Sequence, residues 1–119
     1  MDTKEALDII TRNRECKEGT FMWYMHERDL FSSEKLDEFL EGVAALAGEE
    51  KDPAVTRMIT DTYQAMLKEL IYHFNPDDSL VIKGVPWDYP RWLERIEYVL
   101  SGYYRGDTGV MKDEIYQKL

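Results

Sequence analysis

The residues of this chain that could do chemistry are few and scattered: one cysteine, Cys16, two histidines, His26 and His73, and a large stock of carboxylates. A zinc site asks for three or four His, Cys or carboxylate ligands gathered at one point. No spacing groups the two histidines with Cys16, so no metal and no cofactor are expected. Cys16 sits in no catalytic motif and is expected to fill a partly buried helix position rather than act as a nucleophile. A small hydrolase using His26 or His73 with nearby acids can be written down, but no local pattern supports it. The glycines of SGYYRGDTG, residues 101–109, lack both a P-loop lysine and dinucleotide spacing. The Arg-Gly-Asp triplet within that stretch is a short, common match in a context that looks intracellular.

The carboxylates do show a pattern. Asp37 and Glu41 stand four apart, as do Glu34 and Glu38, which places each pair on one face of a helix. Acid–base work would need a cleft that drives their pKa values apart. The surrounding sequence instead reads as solvent-facing, and like charges at this spacing cost a helix roughly 0.2–0.5 kcal/mol. A basic partner would neutralise that cost. No enzymatic activity is expected, and Asp37, Glu38 and Glu41 are the acidic candidates for partner binding.

Charge narrows the partner class. With 24 acids against 15 bases in 119 residues the formal charge is −9, which disfavours direct contact with nucleic acid or an anionic membrane. A basic protein partner fits better, although solubility alone accounts for an acidic composition. The hydrophobic fraction of 44% argues against disorder, and 119 residues suit one domain, 1–119, with a real core. No apolar run reaches membrane-spanning length and the first residues carry no secretory pattern, so a cytoplasmic location is expected. One cysteine fits a reducing compartment.

The elements that must position these residues are helical. The spacing predicts a helix over about 3–15 with Ala6, Leu7, Ile9 and Ile10 inward, then a second capped by Thr20. Ser32 or Ser33 caps a third, with Leu36, Phe39, Leu40, Val43 and Ala47 on its apolar face, Asp37, Glu38 and Glu41 toward water, and Gly48 as its stop. Asp52-Pro53 opens the longest helix, whose stripe runs Val55, Met58, Ile59, Thr62, Tyr63, Met66, Leu67, Leu70, Ile71, Phe74. At ~1.5 Å per residue this spine extends about 33 Å, ends at Asn75-Pro76, and holds Leu67 as central core. SLVIKGV, 79–85, is the one β-branched segment and has no obvious strand partner. Asp88 is expected to cap a helix with Leu93, Ile96, Val99 and Leu100 inward and Arg91 and Arg95 outside. Gly102 and Gly106 are expected in turns, and a last helix starts near Thr108 with Met111, Ile115 and Leu119 at spacing four. The fold class is all-α, a single compact bundle of five or six helices with an extended segment near residues 79–88.

One stretch is aromatic out of proportion. Residues 84–106, GVPWDYPRWLERIEYVLSGYYRG, hold two of the three tryptophans and four of the eight tyrosines. Tyrosine and tryptophan combine large contact area with a polar handle, which suits cores and binding hot spots alike. Periodicity assigns Leu93, Ile96 and Leu100 to the core and leaves Trp87, Tyr89 and Tyr104 as surface candidates, with Trp92 open to either. These aromatics either clamp the extended segment onto the bundle or anchor a partner. On the second reading, an acidic surface steers a basic target and a few desolvated aromatics hold it.

The run FMWYMHERDLFSSEKLDEFLEGVAALAG, 21–48, resembles small bacterial immunity proteins of contact-dependent growth-inhibition and related polymorphic-toxin systems. The resemblance is carried by an aromatic and acidic helix, a turn at 29–33, and a Leu/Phe helix bearing Asp37, Glu38 and Glu41, about a quarter of the chain. It implies neutralisation of one cognate protein toxin, commonly a nuclease, whose basic groove an acidic inhibitor would block. The alternative is a non-enzymatic helical adaptor or regulatory protein, including a mimic of nucleic-acid charge.

Overall fold

In the computed structural model, which describes all 119 residues, five of the six α-helices begin at a side chain that accepts a hydrogen bond from the first turn. Asp2 caps α1 (Thr3–Arg14), Thr20 caps α2 (Phe21–Arg28), Ser32 caps α3 (Ser33–Ala45) and Asp52 caps α4 (Pro53–Phe74). Each satisfies one of the donors that a helix start leaves free. α5 (Tyr89–Arg105) follows Asp88, but the Asp88 side chain makes no cap; its carbonyl accepts from Arg91 N at 2.9 Å instead. Two short elements close the chain, a 3-10 turn (Val110–Lys112) and the one-turn helix α6 (Glu114–Gln117) capped by Asp113. The fold is an all-α bundle without a β-strand, and none of its helices is long and apolar enough to cross a membrane.

α3 is the centre. Leu36, Phe39, Leu40 and Val43 are fully buried there, and α3 packs against α1 on one side and α5 on the other. α4 lies on α1 and α2. Ala6 and Ile10 supply the buried face of α1, while Leu7, expected inside, is exposed. The i, i+4 pair continues to Asn13, which stitches two helices together: its Oδ1 accepts from Met22 N at 3.2 Å and its amide donates to the Ile9 carbonyl at 3.0 Å. A buried amide side chain is tolerated because both its ends are used.

The long spine is half as buried as its stripe suggests. Ile59, Thr62, Tyr63, Met66 and Leu70 are inside, but Leu67 is 40% exposed, Ile71 66% and Phe74 48%. Leu67 is therefore not central core. α1 and α2 pack along α4, but α5 does not follow it closely enough to cover the Leu67–Ile71–Phe74 face.

The segment after α4 finds a partner that the sequence did not reveal. Lys83 pairs in parallel with Leu30, donating to the Asp29 carbonyl at 2.6 Å and accepting from Phe31 N at 2.8 Å. Asp29 adopts φ +49°, and this left-handed turn is what aims its carbonyl at the segment. Ile82 is 2% exposed, so its N–H needs an acceptor; it donates to Nδ1 of His73 at 2.9 Å.

Two expectations near the chain's end, and one at Gly48, are corrected. Gly102 is no turn: it is buried within α5, where an added Cβ would sit 2.9 Å from Val110 Cβ, so its lack of a side chain admits the 3-10 turn. Gly106 does end the helix, at φ +76°. Gly48 stops nothing, since α3 closes at Ala45. The terminal helix is broken into two pieces, and Val110 and Tyr116 are buried while Ile115 is 61% exposed.

Candidate functional site

The titratable groups that could do chemistry are spent on the fold or dispersed. His73 uses Nδ1 as an acceptor for main chain. His26 is exposed, with Nδ1 3.5 Å from the Glu69 carboxylate. Cys16 is half-buried at φ +52°, and burial pushes its thiol above its ordinary pKa, away from the reactive thiolate. Arg105 and Asp107 of the Arg-Gly-Asp triplet pair at 3.7 Å beside the helix cap, where Asp107 also accepts from Gly109 N. No three His, Cys, Asp or Glu side chains converge as a metal would need.

The six residues expected to bind a partner fall in three places. Asp37 and Glu38 are half-buried rather than turned to water, and Glu41 is exposed. Glu38 accepts from Lys35 Nζ at 2.9 Å, which raises the lysine pKa. Burial raises the Asp37 carboxyl, against the pull of nearby Arg95. Asp37 and Glu41 border a crevice of ≈ 660 Å³ toward Met111 and Tyr116. Tyr104, 55% exposed, lies at the far end of α5 against Thr56, Arg57 and Asp61. Trp87 and Tyr89 lie together at the start of α5, and Trp87 is 89% exposed.

Around Trp87 and Tyr89 the surface is unlike the rest. Of eleven large hydrophobic side chains left exposed, seven lie between residues 67 and 89: Leu67, Ile71, Tyr72, Phe74, Val81, Trp87 and Tyr89. Isolated exposed apolar residues are normal, but four of these seven, Leu67, Ile71, Phe74 and Tyr89, line one groove, and a contiguous set of that kind marks an interaction surface. The C-terminal half of α4 and the N-terminal half of α5 bound an open groove of ≈ 400 Å³, lined by Leu67, Leu70, Ile71, Phe74, Asn75, Tyr89 and Leu93. The Phe74 and Tyr89 rings meet at one end with centroids 4.6 Å apart. At the other end of the helix pair, Thr56 Oγ1 and the Tyr103 hydroxyl share a hydrogen bond of 2.7 Å. Between these ties α4 and α5 make no sustained backbone approach, which is why the apolar side chains there have no cover.

Trp92 resolves to the interior margin. It is half-buried, packs edge-on to Phe31 at 6.2 Å, and carries the Arg95 guanidinium over its face at 4.4 Å. Arg95 is thereby drawn inward, and it also donates to the Leu119 carbonyl.

The groove residues Leu67, Ile71, Phe74 and Leu93 were read from the sequence as core, because periodicity alone cannot tell a covered stripe from an open one. A usable signal lay in the helix lengths: a ten-residue stripe along one long helix outruns the neighbours available to bury it. Comparison of the chain with protein-family models, with curated proteins and with solved structures finds no match in any of the three.

Proposed function

We propose that this chain is a non-catalytic binding protein that neutralises a basic protein partner, in the manner of an immunity protein against its cognate nuclease toxin. The observation that carries this reading is the concentration of uncovered apolar and aromatic side chains over 67–89 on a chain of charge −9. Such a surface offers the two ingredients of tight, selective association. Desolvated aromatic anchors contribute most of the binding energy, and a surrounding field of one sign speeds encounter with a partner of the other. Trp87, Tyr89 and the α4–α5 groove are the contact surface in this proposal. Asp37, Glu38 and Glu41, on α3, steer the partner, and Tyr104 extends the contact only to one long enough to follow α5.

The test is affinity capture from the native host with the tagged chain at low and moderate salt, followed by assay of the captured protein. The expected result is one basic partner in near-equal amount, with a nuclease activity that stoichiometric addition of this chain suppresses. Recovery of a larger regulatory assembly would support the adaptor reading instead. A partner whose activity is unchanged at saturating chain would end the immunity reading.

A further inference from the structure

Resting on that reading of the α4–α5 groove as a contact surface, we propose that its occupant is one amphipathic α-helix of the partner, apolar on the inserted face and rich in lysine or arginine along its flanks. The walls dictate the helical form. Both are α-helices, whose backbone groups are already bonded to one another, and the lining is apolar except for Asn75, which stands at one end. The Asn75 side-chain oxygen already accepts from Asp77 N at 3.0 Å. An extended segment laid here would bury its own N–H and C=O groups with nothing to bond, at roughly 1–3 kcal/mol for each. A helix satisfies those groups internally and so enters an apolar trough without that cost.

The side-chain register fits the same occupant. Leu67, Ile71 and Phe74 form an i, i+4, i+7 ridge on α4, facing the i, i+4 pair Tyr89 and Leu93 on α5. Two such ridges leave a channel into which a third helix can set its own ridge. From Leu67 to Phe74 the rise is about 10 Å, close to two helical turns. The inserted face therefore presents large apolar residues at three positions spaced i, i+3 or i+4, and i+7.

Charge selects the flanks. Five acids stand beside the lining residues in sequence or one turn away, Asp77, Asp78, Asp88, Glu94 and Glu97, and none of them is in an ion pair. The bases of the same stretches are Lys68 and Arg91, both exposed, and the half-buried Arg95, whose guanidinium lies over Trp92 and donates to the Leu119 carbonyl. An occupant with basic flanks gains from this rim; a second copy of the chain, at −9, brings more of the same sign.

The experiment titrates the full chain with three synthetic peptides stapled to hold a helix, following tryptophan fluorescence and heat. One has leucines on a single face and lysine flanks, one has the same composition with the leucines scattered around the helix, and one has glutamate flanks. The expected result is saturable binding of the first, at least ten-fold weaker binding of the other two, and loss of binding in Ile71→Glu. Ile71 is 66% exposed, so that variant should keep its melting temperature; Ile71→Ser, which removes the apolar surface without adding a charge, serves as the second variant if it does not. Equal binding of the scattered peptide would reduce the effect to charge and overturn the proposal, as would undiminished binding by both variants or no binding of the first peptide. Self-association of the chain that Ile71→Glu abolishes, without peptide binding, would assign the groove to a second copy. Inhibition of a captured toxin that survives Ile71→Glu would sink this groove while leaving the immunity reading standing. Peptide binding with no inhibited toxin would do the reverse.

Discussion

The two halves of α4 carry one unbroken apolar stripe and meet opposite fates. Through Met66, the residues Ile59, Thr62, Tyr63 and Met66 are buried; beyond it, Leu67, Ile71 and Phe74 look into an open groove, and of the apolar stripe Leu70 alone is inside. Neither composition nor spacing separates them. The difference lies in what stands opposite. α1, anchored by α3, lies along α4, whereas near the C-terminal end of α4 the facing helix, α5, meets it through the Phe74–Tyr89 ring contact and leaves Leu67 and Ile71 uncovered. A hydrophobic face records where a helix must be covered, and it is silent about whether the cover belongs to the same chain.

The sharpest way to break this comparison is at its boundary. Met66 and Leu67 are neighbours in sequence, one fully buried and one 40% exposed. Met66→Ala should lower unfolding free energy by about 2–5 kcal/mol in a urea melt, the usual range for emptying a core site of this size. A loss below ~1 kcal/mol would mean that the first half is as loosely covered as the second.

The next largest effect tests whether the exposed half carries any structural duty. His73 gives the buried Ile82 N–H its acceptor, so His73→Phe should cost about 1–3 kcal/mol by leaving that donor unpaired. Amide hydrogen exchange at Ile82 should quicken with it, and His73→Asn, which retains an acceptor near the same place, should recover part of the loss. An unchanged melt would show that the 79–88 segment is held without this bond.

Leu67→Ala should cost no more than about 1 kcal/mol, because much of the side chain already meets water. A Leu67 loss matching that of Met66 would close the groove in solution and remove the contrast altogether.

The smallest effect at neutral pH belongs to Tyr63, in the packed half. Its ring meets Phe39 at 5.7 Å and its hydroxyl is buried without a partner, so burial drives its pKa far above the ordinary value of 10.0. The unfolded chain releases this proton near pH 10 while the folded chain keeps it. Tyr63 therefore adds its full share to stability below pH 10 and loses it progressively as pH rises further. Tyr63→Phe should change stability at pH 7 by less than about 1 kcal/mol, and should make the decline above pH 10 shallower than that of the unmodified chain. Parallel pH profiles would place Tyr63 in contact with water.

Much of the fold was legible from local chemistry. Thr20, Asp52 and one of the serine pair were recognisable as caps because a short polar side chain before an apolar run has a defined donor to satisfy. The α3 stripe of Leu36, Phe39, Leu40 and Val43 is buried throughout, since that helix is covered on both sides, and Ala47, in the turn that follows it, is buried too. The candidate site was legible only in fragments. Trp87, Tyr89 and Tyr104 are exposed, but Tyr104 stands about 22 Å along the helix from Tyr89 and cannot share a small site with it. Asp37 was read as solvent-facing because its helical neighbours are acidic, yet the turn at Val110 folds the chain's end back over it. Gly102 looked like punctuation when its use is a close approach from eight residues onward.

The sequence by itself determined the first five helices, where they start, the apolar stripe each carries and the sign of the net charge. These follow from interactions within about one helical turn, where a cap, a proline or a repeat at 3.6 residues acts on its own backbone. Only the tertiary structure decided how far each stripe is covered, which carbonyl the β-branched segment finds, and which aromatics stay in water. Those outcomes depend on the lengths and contact angles of helices remote in sequence, and hydrophobic burial is proportional to area removed from water without regard to which segment removes it. On α4 that covering surface is missing along the Leu67–Ile71–Phe74 face.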